Sequence, residues 1–389
     1  MRRMEAEERR ARLVRRHRLT PPRRADDVRD AVRSVVVLHS SDPATVFLSA
    51  WARTRDFEPS MLEHALYEQR TLVRMLGMRR TLFVVPRELV EVVDAAASQA
   101  VAANERRKLE RFAAETGVSD DPAAWIAEAS SAALAALQAR GEASTSELAG
   151  DHPLLGQKVR LGTGTRWEAE VGAASRILLL LAAEGAIVRD RPRGGWTGSQ
   201  YRWVPSERLG PRRSVQPEVA RAELLRAWLM AFGPATETDV RWWTGWTARD
   251  ARAALASVPH AEVELDEGTG YVLAGDDEPE EITAPAPALL PALDPTAMGW
   301  KERGWYLGPH GAAIFDRNGN AGPTVWWGGR IVGGWAQRRG GEVAHRLLED
   351  VGAEAEAAIA TECARLASWL GDVRVTPRFR TPLERELSA

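Results

Sequence analysis

Three times along this chain, short amphipathic helical stretches give way to two apolar, β-branched runs that flank an arginine- or glycine-bearing turn. A helical period that switches to a strand period constrains the fold strongly, because it demands helices and a two-stranded hairpin packed as one unit. In the first unit Asp26 or Asp27 starts a helix whose apolar face includes Val28, Ala31, Val32, Val35 and Val36. Pro43 opens the next helix, Ala44 to Ala52, and Met61 to Tyr67 gives another. Thr71 to Leu76 and Thr81 to Val85 then read as strands around Gly77-Met78-Arg79-Arg80, with Arg79 and Arg80 near the tip. Helices followed by such a hairpin predict a winged helix.

The pattern returns twice. Ser144-Thr145-Ser146-Glu147-Leu148 has the form of a helix start, Glu168 to Glu184 predicts an apolar helix, and Ala186 to Arg191 with Gln200 to Val204 predict strands around Arg193-Gly194-Gly195-Trp196. The third unit has a helix from Ala220 to Phe232, a short one from Thr236 to Trp243 and a recognition-type helix from Thr247 to Ala256. Val263 and Tyr271 to Leu273 form its hairpin. A charged helix, Glu5 to Arg18, precedes the first unit and stops at Thr20-Pro21-Pro22. Helical stretches from Arg87 to Glu115 and from Asp121-Pro122 to Arg140 act as a spacer. After an acidic, proline-rich linker, Asp276 to Pro287, the segments Trp305 to Leu307, Ala312 to Phe315, Thr324 to Trp327 and Ile331 to Trp335 predict strands. Val343 to Leu370 is predicted helical and Val373 to Val375 strand-like. The expected fold class is therefore α+β: tandem winged-helix (helix-turn-helix) units plus a small β-barrel-like domain. The expected boundaries are 1–115, 116–215, 216–280 and 281–389.

Composition excludes several function classes. A net charge of -2 is not that of a nucleic-acid-coating polycation, so charge placement matters more than charge count. Of the 52 basic residues only Lys108, Lys158 and Lys301 are lysines, leaving guanidinium groups that bind phosphate through two parallel hydrogen bonds. A single cysteine, Cys363, leaves no internal disulfide and no cysteine-based zinc site, and no His/Asp/Glu cluster has metal-ligand spacing, so neither a metal nor a cofactor is expected. Gly162-Thr163-Gly164 and Gly194-Gly195 lack the Gly-Lys-Ser/Thr ending of a phosphate loop, so they are turns and no nucleotide cofactor is expected. Met1 to Arg18 has no apolar core, and the longest greasy run, Ile177 to Ala183, is far too short to cross a bilayer. A soluble, cytoplasmic, nucleoid-associated monomer without membrane contact is the expectation. The fifteen tryptophans, with Trp242-Trp243-Trp246 and Trp326-Trp327 clustered, are expected to fill domain interfaces.

The candidate chemistry gathers at Leu38-His39-Ser40-Ser41-Asp42-Pro43, read as a polar cluster at the end of the second helix. Asp42 before Pro43 fits a helix cap, a structural role for both residues. Arg74, Arg79 and Arg80, and later Arg189, Arg191 and Arg193, sit where a winged helix meets DNA phosphates.

Thr71-Leu72-Val73-Arg74, Met78-Arg79-Arg80-Thr81-Leu82, Leu289-Leu290-Pro291-Ala292-Leu293-Asp294 and Asn320-Ala321-Gly322-Pro323-Thr324-Val325 resemble recurring blocks of the bacterial winged-helix superfamily that includes the AlkZ-like DNA glycosylases. The resemblance spans nearly the whole chain. It implies three winged helices and a β-domain arranged as a C-shaped cradle, and an enzyme that removes bulky or cationic N7-alkylpurines from double-stranded DNA, in some members from crosslinks. It also implies a Gln-x-Gln or Gln-x-Asp motif, whose place is taken here by His39-Ser40-Ser41, so His39 and Ser41 become the candidate catalytic pair. An N7-alkylated guanine is already a cation and a good leaving group. What remains for the protein is to place a water at the anomeric carbon, which His39 and Ser41 could do by hydrogen bonding, the neutral imidazole also being able to accept a proton. With no lysine in the motif, a Schiff-base lyase step is not expected. The competing expectation is a non-catalytic winged-helix protein, a transcriptional regulator or lesion binder.

Overall fold

The computed structural model describes residues 1–166, 168–211, 213–281 and 284–389. In the first unit, helix Val28–Arg33 is started by Asp27, whose carboxylate accepts the Arg29 amide at 2.8 Å. It stops before Val35-Val36-Val37, because three successive β-branched residues favour extended backbone. Val36 takes a left-handed φ of 66°, and the chain emerges as the two-residue strand Leu38–His39. That strand edges a three-stranded antiparallel sheet, with Leu38 opposite Val84, His39 opposite Phe83, and Leu72–Leu76 on the other side of Leu82–Pro86. The expectation that His39 and Ser41 end a helix is thereby corrected: the motif runs from a sheet edge into the start of the next helix. That helix, Pro43–Arg53, is buried along its whole length, its few polar side chains, Thr45, Ser49 and Arg53, being hydrogen-bonded inside the protein.

The second unit has a core of its own around Trp125, Ile126, Leu137, Ile177, Leu181 and Trp203. Its helices Pro122–Arg140 and Thr145–Asp151 are joined at a reciprocal cap in which the Ser144 amide donates to Glu147 at 2.6 Å. The helix expected from Glu168 is shorter, Ala173–Ala183, because Ala169–Gly172 pairs antiparallel with Lys158–Leu161. The hairpin Ile187–Arg193 and Gln200–Pro205 follows. In the third unit, helices Pro217–Phe232, Glu237–Thr244 and Ala248–Ser257 lead into hairpin His260–Leu265 and Gly268–Leu273, which Arg2–Arg3 extends as a parallel strand.

The C-terminal region departs most from expectation. Pro287–Leu290, Thr324–Trp327, Arg330–Gln337 and Val343–Leu347 form one antiparallel sheet in that linear order, open at both edges. Four strands are too few to close on themselves, and the helices Ala353–Leu370 and Pro382–Leu387 cover the sheet instead, so the expected barrel is an open sheet. Trp305 to Leu307 and Ala312 to Ile314 belong to the helical turns Gly304–Leu307 and Gly311–Ile314 and not to strands, while Phe315 is extended and forms a single bridge with Ala321. The stretch read as one helix from Val343 is a strand followed by a helix, and Val373 to Val375 is irregular. Within the presumed linker, Ile282 and Thr283 lie outside the described residues. The described part is strapped to the N-terminal helix Ala6–Arg16 by Arg16–Asp276 at 2.7 Å and Arg15–Glu280 at 2.6 Å.

Two contacts fix helix Pro43–Arg53, and with it the motif at its start. Arg53 and Asp294, both fully buried, form a bidentate pair at 2.7 and 2.9 Å, while Ser49 Oγ donates to the same carboxylate at 2.7 Å. From the other side Trp196, at the turn of the second unit's hairpin, packs 5.1 Å from Phe47 and 5.7 Å from Trp369. The second hairpin therefore lies across the first unit, with its tip on the helix that the motif begins.

Candidate active site

Burial alternates along the motif. Ser40 turns inward and is 1% exposed, whereas His39 and Ser41 are half-buried and reach solvent. The Ser40 hydroxyl accepts from Arg74 Nε at 2.8 Å. Asp42 caps the following helix through the Ala44 amide at 3.1 Å, its second oxygen accepts the Arg378 amide at 2.8 Å, and Pro43 takes the first helical position. Burial nevertheless pushes the Asp42 carboxyl above its ordinary range.

The His39 ring packs edge-on to Phe83 at 5.6 Å, and its Nδ1 accepts the Ser41 amide at 3.4 Å. Nδ1 being the acceptor, the proton of the neutral ring sits on Nε2. Loss of hydration, and then the charge of Arg79, pull the His39 pKa down to about 3, so the imidazole is neutral at physiological pH. This narrows the role expected of it: the exposed nitrogen donates a hydrogen bond and is not a proton acceptor in this tautomer. Neither His39 Nε2 nor Ser41 Oγ has a hydrogen-bond partner among the described residues, although their neighbours Ser40 and Asp42 are fully engaged.

The six arginines expected to meet phosphate have different surroundings. Arg74 is 3% exposed, donates to Ser40 Oγ and to the Tyr67 hydroxyl at 2.9 Å, and lies 4.6 Å from the Tyr201 ring centroid. Tyr67 and Tyr201 close over the guanidinium and seal it from phosphate, which corrects the expectation that it meets DNA. Arg189 is half-buried and stacks on Trp203 at 4.5 Å, its pKa lowered to about 10 by burial and then by Arg74. Arg80, Arg191 and Arg193 are exposed but paired, with Glu105 at 2.9 Å, Glu63 at 2.9 Å and Glu147 at 3.3 Å respectively. Arg79 is exposed and lies over Trp242 at 4.3 Å.

Other residues around the motif carried little signal in the sequence. Arg378, exposed, reaches the Ser41 carbonyl with Nη1 at 3.4 Å, from a C-terminal segment read in the sequence only as strand-like at Val373 to Val375. Tyr67 and Tyr201 frame Arg74, and the Tyr201 hydroxyl is buried without a hydrogen-bond partner among the described residues, its pKa raised mainly by desolvation. Nothing local marks either tyrosine, because the second hairpin comes to the first unit only through the tertiary fold.

The arrangement defines a class: an α+β chain of three helix-and-hairpin units and an open sheet, with an uncommitted His–Ser pair at one sheet edge. The chain belongs to the AlkZ-like DNA glycosylase family, whose profile matches residues 32–369. In structure it is similar to Streptomyces sahachiroi DNA glycosylase AlkZ, with a TM-score of 0.72 at 19% identity over 97% of this chain and 100% of that one, a likeness that speaks for the fold. No curated protein matches the chain. Among the described residues no helix is long and apolar enough to cross a membrane.

Proposed function

We propose that this chain is a monofunctional DNA glycosylase that hydrolyses the N-glycosidic bond of N7-alkylpurine nucleotides in duplex DNA, on a tandem winged-helix scaffold. One observation carries the reading. Beside the engaged side chains of Ser40 and Asp42, His39 Nε2–H and the Ser41 hydroxyl, both partly exposed, have no hydrogen-bond partner among the described residues. They stand at the motif position where the family places its paired polar side chains.

Such a pair suits the chemistry. In an N7-alkylguanine nucleotide the bond from C1′ to N9 breaks with its electron pair moving to the already cationic base. The water oxygen then bonds to C1′ and releases its proton to solvent. The products are the free base and an abasic sugar bearing a hydroxyl at C1′. The leaving group needs no acid, so the protein's work is to position the water. His39 Nε2–H donates to the water oxygen, and the Ser41 hydroxyl oxygen can accept a hydrogen bond from the water. A neutral ring avoids placing a further cation beside a sugar that becomes oxocarbenium-like. Arg378, held beside the Ser41 carbonyl, positions the segment from the C-terminal side.

The test is single-turnover incubation with duplex containing N7-methylguanine, followed by quantification of free base and abasic sites. Release by the intact protein and its loss in His39→Ala, with duplex affinity kept within a few-fold, is the expected result. Binding of alkylated and plain duplex alike, without base release across several adducts, leaves the chain a lesion binder or regulator.

A further inference from the structure

Arg74 and Arg80 near the motif bind a buried hydroxyl or a carboxylate, whereas Arg79 and Arg303 share an aromatic ring instead. Arg79 belongs to the first hairpin's turn and Arg303 to the segment before the C-terminal sheet, and both stand over the indole of Trp242 in the third unit, at 4.3 and 4.8 Å from its centroid. Arg303 also lies 4.6 Å from the Phe315 ring, and among the described residues its guanidinium donates only to the carbonyls of Lys301 and Ala297 at 3.5 Å. Among the described residues neither guanidinium forms an ion pair. Three separate parts of the chain thus bring two unneutralised cations onto one aromatic ring.

The backbone is arranged to hold them there. Arg79 and Arg80 both adopt left-handed φ values, 55° and 61°, a conformation that β-carbon-bearing residues other than Asn and Asp seldom take. Gly245, at φ 75° in the turn after helix Glu237–Thr244, meets this bend so closely that a β-carbon there would lie 3.1 Å from Arg79 Cγ. Glycine at 245 lets the first hairpin dock on the third unit and fixes the Arg79 side chain on Trp242.

We infer that Arg79 and Arg303, braced by Trp242, form a phosphodiester site that grips the DNA backbone next to the nucleotide presented to His39. An aromatic face holds guanidinium planes without consuming their N–H donors, which stay available for phosphate oxygens. Two mutually repelling cations with no counter-charge make an anion the natural third member. Their repulsion is visible in Arg79, whose pKa is brought down to about 10 by burial and then by Arg303. The site adjoins the motif through the sheet, since Arg79 lies in the turn Met78–Arg80 just before the strand whose Phe83 stands opposite His39. A bound phosphate would cancel that positive field just where the sugar develops its own charge.

The inference rests on the DNA glycosylase reading but is tested apart from catalysis, by anisotropy of a labelled, undamaged duplex over a salt series. Each protein–phosphate contact contributes about 0.9 to the slope of log affinity against log salt. Arg79→Gln and Arg303→Gln each flatten that slope by about this amount, Arg79→Lys and Arg303→Lys keep it, and Arg346→Gln, which removes a remote surface pair with Glu386, leaves it as in the intact protein. Far-UV circular dichroism checks that every variant is folded. Unchanged slopes in both Gln variants, with an intact protein that binds in a salt-dependent way, overturn the phosphate site and leave the glycosylase reading standing. An intact protein that binds no duplex even at low salt overturns both.

Discussion

The Ser41 amide addresses Nδ1 of His39 from 3.4 Å, so the nitrogen His39 turns outward is Nε2, bearing hydrogen. A side-chain carboxamide offers the same N–H donor at a similar reach. His39→Gln is therefore expected to keep base release from an N7-methylguanine duplex within about tenfold of the intact protein. His39→Ala is expected to lose about 10²–10³-fold, the cost of removing one preorganised donor. Single-turnover rates decide it: if Gln fails as completely as Ala, the ring has a role that a donor alone does not supply.

The same neutral ring fixes the pH dependence. With a pKa near 3, His39 stays uncharged from about pH 5 to about pH 8, whereas an unperturbed histidine near 6.5 would titrate in the middle of that range. The rate of base release should be flat there, and the profile of His39→Gln should be parallel. A limb with an apparent pKa near 6.5 that vanishes in the Gln variant would show that the ring titrates in solution and acts in another protonation state.

Arg74 makes a different prediction from the exposed arginines. It ties Ser40 on the sheet edge to Tyr67 and, through Tyr201, holds the second hairpin against the first unit. Arg74→Met strands two buried hydroxyls and should cost roughly 1–3 kcal/mol of stability, read from urea denaturation. The salt slope of duplex binding should not move, because the guanidinium is sealed from phosphate. A flattened slope with unaltered stability would restore Arg74 to the DNA surface.

How much of this was legible from residues follows from the range of each signal. The hairpins were marked by local alternation around Gly77 to Arg80 and Gly194-Gly195, and the start of helix Pro43–Arg53 by the Asp42-Pro43 pair, all signals within a few residues. The end of the second helix was misread because Val35 and Val36 fit both the helical apolar face and an extended strand, and the sheet partner that decides between them, Phe83, is 44 residues away from His39 in sequence. The C-terminal strands were overextended because short apolar runs such as Trp305-Tyr306-Leu307 carry no period long enough to separate a strand from one helical turn. Tyr201, Arg303 and Arg378 reach the site only through packing between units, and nothing local marks them. Arginine count misled for the same reason: what separates Arg79 from Arg80 is the presence of Glu105 beside the latter.

His17 ties stability to pH at the junction of the N-terminal helix with the Arg53–Asp294 pair. It is fully buried, its Nε2–H donates to the Ala231 carbonyl at 3.1 Å, and its Nδ1 is 2.9 Å from Thr296 Oγ1, which also accepts from Arg53 at 2.7 Å. Burial, and then the Arg53 charge, lower its pKa to about 3. In the unfolded chain the ring titrates near 6.5, so between the two values the unfolded state binds the extra proton and stability rises with pH. The contribution is complete above about pH 6.5 and is lost towards pH 3 at about 1.4 kcal/mol per pH unit. Urea denaturation at pH 7 and at pH 5 should thus show a fall of about 2 kcal/mol that His17→Gln, which offers one donor and one acceptor but no titration, removes. If the variant loses as much stability as the intact protein between the two pH values, other groups carry the acid sensitivity and the buried ring is not its source.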